Sequence, residues 1–251
     1  MRAMILAAGL GTRLKPLTDD RPKALVEIGG RTLLEITLSR LRSFGINEVI
    51  VNAHHFTEVI VDYLRQNNNL GINVEVSREE VLLDTGGGLK KAAHFFADSK
   101  DAEPFILHNV DVISAIDLRQ MAQFHTERQA LATLAMQDRQ TSRYLLFDEQ
   151  GRLCGRRRAS DQEIELVRSS AQTQALAFCG IHVISSGLLR MMTEEGIFSI
   201  IDVYLRLASA GEAILAFRAD EYYWRDLGRI DSVQQAELDL QQKDLKQKLV
   251  L

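Results

Sequence analysis

The sequence is poor in the residues that mark specialised folds: 251 residues include only two cysteines, three prolines and one tryptophan. Cys154 and Cys179 are too few for a disulfide framework and suit a reducing compartment, so a cytoplasmic location is expected. The prolines stand at 16, 22 and 104, and with no Gly/Ser-rich tract there is no recognisable linker between domains. No run approaches the roughly 18 to 20 apolar residues of a membrane span, so no membrane partner is expected. The apolar start, residues 1–11, is broken by glycine and has no basic leader, and is expected to be structure and not a signal peptide. Excess positive charge is also missing. Thirty Lys and Arg against 34 Asp and Glu give −4, which argues against nucleic acid as a partner. With 46% hydrophobic and 25% charged residues, the rest is ordinary for a globular chain with a sizeable core.

What is present is an alternation of short apolar runs with helical periodicity. Strands are expected at 2–7, 48–52, 72–77, 104–108 and 130–137, and helices at 32–44, 56–66, 88–96 and 117–128. That rhythm implies a three-layer α/β/α arrangement, with a mixed, mostly parallel central sheet covered by helices on both faces. The second half changes character. Residues 144–147 and 151–154 flank Asp148-Glu149-Gln150 as a hairpin, 176–184 is a long strand, and Ser186 opens a helix. Late strands are expected at 214–218 and 222–225, followed by one long helix from 230 to the end. Its apolar positions, Val233, Ala236, Leu238, Leu240 and Leu245, suit packing on the domain or a dimer interface, so the chain is expected to be a monomer or a homodimer. No hexapeptide array is visible.

The strongest chemical signal is Leu6-Ala7-Ala8-Gly9-Leu10-Gly11-Thr12-Arg13, followed by Pro16, Thr18, Pro22 and Lys23. A strand ends in small residues, and the glycines let backbone N–H groups approach an anion. Arg13 and Lys23 add two positive charges to the same loop, as a polyphosphate requires. It is neither a Rossmann fingerprint, lacking the third glycine, nor a Walker A loop, lacking Gly-Lys-Ser/Thr. The turn Asp84-Thr85-Gly86-Gly87-Gly88 can offer N–H groups to a ribose or base edge. Asp111 follows an apolar strand, at the edge where open α/β sheets bind ligands. Asn52, ending another strand, is a candidate contact to sugar or base.

Together these motifs resemble the sugar-1-phosphate nucleotidylyltransferases, whose signature G-x-G-T/S-R-x-x-P-x-T-x-x-x-P-K is matched at Gly9, Gly11, Thr12, Arg13, Pro16, Thr18, Pro22 and Lys23. Leu83 to Gly88 is similar to that family's nucleotide-contacting turn, nearest in style to N-acetylmuramate-1-phosphate uridylyltransferases. Asn109-Val110-Asp111 stands where the family has N-G-D, and Trp224-Arg225-Asp226-Leu227-Gly228 is similar to its late W-x-D-x-G. The resemblance implies a GT-A-like nucleotidyltransferase fold, with residues 1–130 binding nucleotide, 131–228 binding sugar, and a closing helix at 229–251. It further implies transfer of a nucleotidyl group from a nucleoside triphosphate to a sugar 1-phosphate, with UTP or GTP favoured. In this reading Arg13, Lys23, Asp111 and Asp226 are catalytic, and Asp111 and Asp226 hold Mg²⁺. Leu6, Ala7, Ala8, Gly9, Gly11, Thr12, Arg13, Lys23, Asp84, Thr85, Gly86 and Gly87 contact the nucleotide, and Asn52, Asn109, Glu163 and Gly180 contact the sugar phosphate.

Two departures stand out. Val110 replaces a glycine and is expected to crowd the phosphate. Many members hold the sugar phosphate with the lysine of a Glu-Lys-Pro element, but residues 159–174 contain no lysine, leaving Arg143, Arg168 or one of Arg156-Arg157-Arg158. Phe178-Cys179-Gly180-Ile181 resembles the family's F-x-G-I strand, and Glu163 and Glu165 are candidate acceptors for sugar hydroxyls. The alternatives are a phosphocholine cytidylyltransferase-like enzyme, a non-catalytic homologue that senses an NDP-sugar, and a dinucleotide-dependent oxidoreductase.

Overall fold

The computed structural model describes residues 1–98, 103–158 and 163–249. The first strands are β1 (Ala3–Leu6), β2 (Glu27–Ile28), β3 (Arg31–Thr32), β4 (Glu48–Ala53), β5 (Asn73–Arg78), β6 (Pro104–Asn109) and β7 (Val112–Ser114). There follow β8 (Ala132–Gln137), β9 (Arg143–Phe147), β10 (Leu153–Arg158), β11 (Ile164–Leu166), β12 (Gln174–Ser185), β13 (Ile214–Arg218) and β14 (Trp224–Asp226). The helices are α1 (Leu33–Ser43), α2 (Thr57–Gln66), α3 (Asp84–Lys91), α4 (Leu118–Glu127), α5 (Ile200–Ser209), α6 (Ile230–Asp239) and α7 (Lys243–Leu249). None of these helices is long and apolar enough to cross a membrane.

The chain forms two interleaved units. The first comprises Met1–Leu83, Leu107–Ile116 and Tyr222–Leu251; the second comprises Asp84–Ile106 and Asp117–Glu221. The interleaving follows from β6, whose last three residues lie in the first unit and whose first three lie in the second.

In the first unit β1, β4 and β5 pair in parallel, with Leu6 opposite Asn52 and Asn52 opposite Ser77. Strand β4 is buried from Val49 onward, as a central parallel strand should be. Local chemistry sets the bounds of α1. Thr32 accepts the Glu35 N–H at 3.1 Å, and at the other end Gly45 (φ 81°) lets its own N–H reach Arg42 O while Ile46 N–H reaches Leu41 O. The expected closing helix is broken after Asp239. Leu240 turns inward against Gly29, and Leu240, Leu245 and Leu249 are buried, so a bend buries apolar positions that one straight helix would leave outside. Of the apolar positions expected to pack, only Leu238 is exposed, and residues 250 and 251 of the expected helix lie outside the described ones.

In the second unit the pairing is largely antiparallel, in the order β11, β10, β9, β12, β8, with β13 parallel to β8. The expected mixed sheet is therefore present, its parallel part concentrated in the first unit. Asp117 caps α4 by accepting the N–H groups of Arg119 and Gln120, and Ser199 caps α5. Behind α4, His125 is buried with Nδ1 3.0 Å from Thr133 Oγ1 and Nε2 2.9 Å from Ser185 Oγ. Ser185 Oγ donates to Ala130 O, so it accepts from Nε2–H, and Thr133 donates to Nδ1. The imidazole is therefore neutral, and burial pushes it from 6.5 down to about 4. An unfolded histidine takes up its proton near 6.5 and the folded one only near 4, so stability falls as pH drops through that window. The loss is expected to reach about 3 kcal/mol, from about 1.4 kcal/mol per pH unit. Urea melts at about pH 7 and about pH 4.5 should show a larger loss for the wild type than for His125→Asn; equal losses would contradict this.

Candidate active site

Strand β1 ends against two fixed partners. The Leu6 carbonyl accepts the Val110 N–H at 3.1 Å, and the Ala7 N–H donates to Asn52 Oδ1 at 2.7 Å. Leu6 and Ala7 thus anchor the loop from below, and the Ala7 N–H is not available to a nucleotide. Beyond them, among the described residues, no N–H of Ala8, Gly9, Leu10 or Gly11 donates to a protein acceptor. A Cβ at Gly9 would meet nothing within 4 Å, so the loop is open on that side. Gly11 has φ 66° and its carbonyl accepts from Thr18 Oγ1 at 2.9 Å, which curls the chain into the short turn Thr12–Leu14. Such a run of N–H donors is a cradle for an anion.

Around this loop the first unit gathers the charged residues that the sequence singled out. Lys23 is buried at the start of its own short turn and forms an ion pair with Asp111. Asp111 lies in the turn between β6 and β7, and its carbonyl accepts the Leu227 N–H at 2.8 Å. Strands β7 and β14 pair with Asp226 opposite Val112, so Asp226 stands across from the residue that follows Asp111. Arg225 and Asp226 point to opposite faces of β14. Arg225 is tied to Asp239 of α6 at 2.6 Å, and Asp226 keeps the other face, its Oδ1 accepting the Gly228 N–H at 2.8 Å. A Cβ on Gly228 would stand 2.7 Å from Asp226 Oδ1 and 3.0 Å from Arg13 Nη2, which places the Arg13 guanidinium beside Asp226. The Val110 side chain is buried in the first unit.

The donor set suits a hard divalent cation. Asp111 and Asp226 supply carboxylate oxygens, and no group of three His, Cys, Asp or Glu gathers among the described residues. Mg²⁺ is an ion of that kind, taking one or two carboxylates and completing its shell with water and phosphate oxygens.

Four of the residues expected to contact ligands have polar groups engaged within the protein. Asn52 is 2% exposed; its Oδ1 holds Ala7 and its Nδ2 donates to Glu79 Oε1 at 2.6 Å, so both polar groups of its side chain are engaged inside the first unit. In the second unit the N–H groups of Gly86 and Gly87 both donate to Phe198 O, at 2.9 and 3.2 Å, and Thr85 Oγ1 accepts the Ile200 N–H. A Cβ at Gly86 would fall 2.5 Å from the Phe198 ring. These glycines let α3 approach the start of α5, and their N–H groups are engaged by Phe198 O. Asp84, at the head of α3 with φ 60°, is exposed and accepts the Thr85 N–H.

On the sugar side, Gly180 is buried with φ 73° where β12 and β8 lose register, so the backbone itself requires glycine there. Glu165 pairs with Arg156, which also pairs with Asp202 of α5, and Arg168 pairs with Asp148. Glu163 is exposed beside β11, and Asn109 is half-buried at the end of β6. Glu79 is the residue that sequence reasoning missed. Within Arg78-Glu79-Glu80 it reads as part of a solvated charge run, yet it is 4% exposed.

Comparison with known proteins gives the family. A family model described as nucleotidyl transferase matches residues 2–243. An N-acetylmuramate alpha-1-phosphate uridylyltransferase of Caulobacter vibrioides is 30% identical over 235 residues, covering 90% of this chain and 91% of that one. A mannose-1-phosphate guanyltransferase of Yarrowia lipolytica is 28% identical over 231 residues, covering 91% of this chain but 61% of its own length. Among solved structures, HddC of Yersinia pseudotuberculosis, complexed with GMP-PN, superposes with a TM-score of 0.74 over 95% of this chain and 99% of that one; at 22% identity it is similar in fold. With a family match along nearly its whole length, the chain belongs to the nucleotidyl transferase family, alongside proteins named as uridylyl- and guanylyltransferases of sugar 1-phosphates.

Proposed function

We propose that this chain transfers a nucleotidyl group from UTP or GTP to a sugar 1-phosphate, giving an NDP-sugar and pyrophosphate. The observation that carries the reading is the cradle Ala8–Gly11 with Arg13, Lys23, Asp111 and Asp226 gathered around one end of the first unit. A sugar-phosphate oxygen attacks the α-phosphorus, the bond from that phosphorus to the bridging oxygen breaks, and pyrophosphate leaves in line. No covalent enzyme intermediate is needed, so the chain supplies positioning and charge. The loop N–H groups bind phosphate oxygens, Arg13 neutralises the departing pyrophosphate, and Lys23 steadies the phosphates during attack. Asp111 and Asp226 would hold Mg²⁺, which supplies charge neutralisation to the triphosphate. Phosphorus NMR of the reaction should show NDP-sugar and pyrophosphate growing in equal amounts; free nucleoside monophosphate or inorganic phosphate in their place would reject the reading.

The sugar phosphate needs a cation that the family's missing lysine does not provide. Among the arginines left open by the sequence, Arg156 and Arg168 are committed to carboxylates, whereas Arg143 and Arg158 stand directly opposite each other across β9 and β10. Neither has a carboxylate partner among the described residues, and like charges in that position repel unless an anion joins them. Arg157 lies over the Tyr144 ring at 4.9 Å, and Tyr144 pairs with Ala177, next to the Phe178–Gly180 strand segment. We therefore assign Arg143 and Arg158 to the sugar phosphate. Changing either to glutamine should raise KM for the sugar 1-phosphate about tenfold and leave KM for the triphosphate unchanged, as loss of one charge-assisted hydrogen bond predicts. Equal changes in both constants would speak against the assignment.

A further inference from the structure

Glu79 is a buried carboxylate with no cation beside it: it is 4% exposed and forms no ion pair among the described residues. Its oxygens accept two hydrogen bonds, Oε1 from Asn52 Nδ2 at 2.6 Å and Oε2 from the Leu83 N–H at 3.0 Å. Its own N–H donates to Ala53 O at 2.7 Å, and its carbonyl oxygen lies 2.9 Å from His54 Nδ1, so the backbone on which the carboxylate sits is fixed as well. Asn52 then passes the link to the Ala7 N–H through Oδ1, at 2.7 Å. A negative charge buried beneath a loop that binds polyphosphate is electrostatically unfavourable, so its presence calls for a reason other than charge.

The reason lies in the direction of the hydrogen bonds. The relay runs Ala7 N–H, Asn52, Glu79, Leu83 N–H, and both of its ends are backbone donors that cannot be reversed. Between two fixed donors, one of the two side chains must be an amide that accepts on one side and donates on the other. The other must be a pure acceptor. Two amides would set one N–H against another N–H wherever the amides were flipped, and two carboxylates would face each other with no proton between them. We infer that Glu79 is a positioning residue for nucleotide binding: through Asn52 it fixes the Ala7 N–H, and with it the departure of the Ala8–Arg13 loop from β1. The inference rests on that loop being the nucleotide cradle.

Two variants separate this role from mere support of the fold. Glu79→Gln creates the two-amide relay, and is expected to raise KM for the triphosphate about tenfold while KM for the sugar 1-phosphate stays within about twofold. Unfolding of part of the sample would lower the apparent kcat and leave KM alone, so the KM split reports loop position and not stability. The reversed pair, Asn52→Asp with Glu79→Gln, restores every hydrogen bond of the relay. In it the carboxylate at position 52 accepts from the Ala7 N–H and from the new amide at position 79, whose own oxygen accepts from the Leu83 N–H. It should bring KM for the triphosphate back to within about threefold of wild type. A Glu79→Gln variant that melts earlier but keeps the wild-type KM would overturn the inference, as would a double variant no better than either single one. If the wild type itself released no pyrophosphate from any substrate pair, the cradle reading would fail and the inference with it, an outcome distinct from normal wild-type turnover with an unmoved KM in the variant.

Discussion

Asp111→Asn is expected to lower the rate of pyrophosphate release by about 10²- to 10³-fold at saturating substrates while the protein remains folded, as removal of one preorganised charge at a phosphate-transfer site predicts. In the resting chain Asp111 is the counter-charge of Lys23, which is 8% exposed, so the substitution also leaves a buried ammonium without its anion. The amide oxygen of asparagine still accepts from that ammonium, which limits the destabilisation to about 1–3 kcal/mol. A thermal melt recorded beside the rate assay therefore separates the two effects. A folded variant within about tenfold of wild-type turnover would remove Asp111 from the site.

Gly228→Ala tests the geometry with a single methyl group. The added Cβ would sit 2.7 Å from Asp226 Oδ1 and 3.0 Å from Arg13 Nη2, too close for either to stay. Both atoms are tips of flexible side chains, so each swings aside at little energetic cost and the melting temperature should move by only a few degrees. Those two tips are nevertheless the carboxylate and the guanidinium that the proposed reaction relies on, and displacement of about 1 Å at such a site costs about 10²-fold in rate. The expected result is a stable, nearly inactive protein. Activity within about threefold of wild type would show that Arg13 and Asp226 do not need the positions described here.

Much of this site was legible in the sequence because its chemistry demands residues in local order. The loop from Leu6 to Lys23 needs consecutive small residues followed by two cations, and that pattern stands in one segment. Asp111 and Asp226 were identifiable only as separate motif residues; what joins them is the β7–β14 ladder, a pairing across more than a hundred residues. The glycines after Asp84 show the limit of local reading. A glycine that admits a ligand and one that admits a neighbouring helix look alike until Phe198 is placed against Gly86. Asn52 shows the same limit, since a polar residue at a strand end reads as ligand-facing until partners such as Ala7 and Glu79 are placed beside it. Helix α5 does carry helical periodicity that the sequence reading left unused: Asp202, Arg206 and Ser209 stand at helical spacing opposite the buried Ile200, Val203, Tyr204 and Leu207. Its cap, Ser199, was a further signal. The break after Asp239 has no Gly or Pro to announce it; the inward turn of Leu240 decides it.

The most direct test of the central claim is pyrophosphate release with Mg²⁺ from UTP, GTP, CTP, ATP and dTTP, each paired with mannose, glucose, N-acetylglucosamine and N-acetylmuramate 1-phosphates. The account predicts one strong pair with UTP or GTP as donor, with release that requires both the sugar phosphate and the metal. Silence across the whole grid, or release that continues without any sugar phosphate, would contradict it.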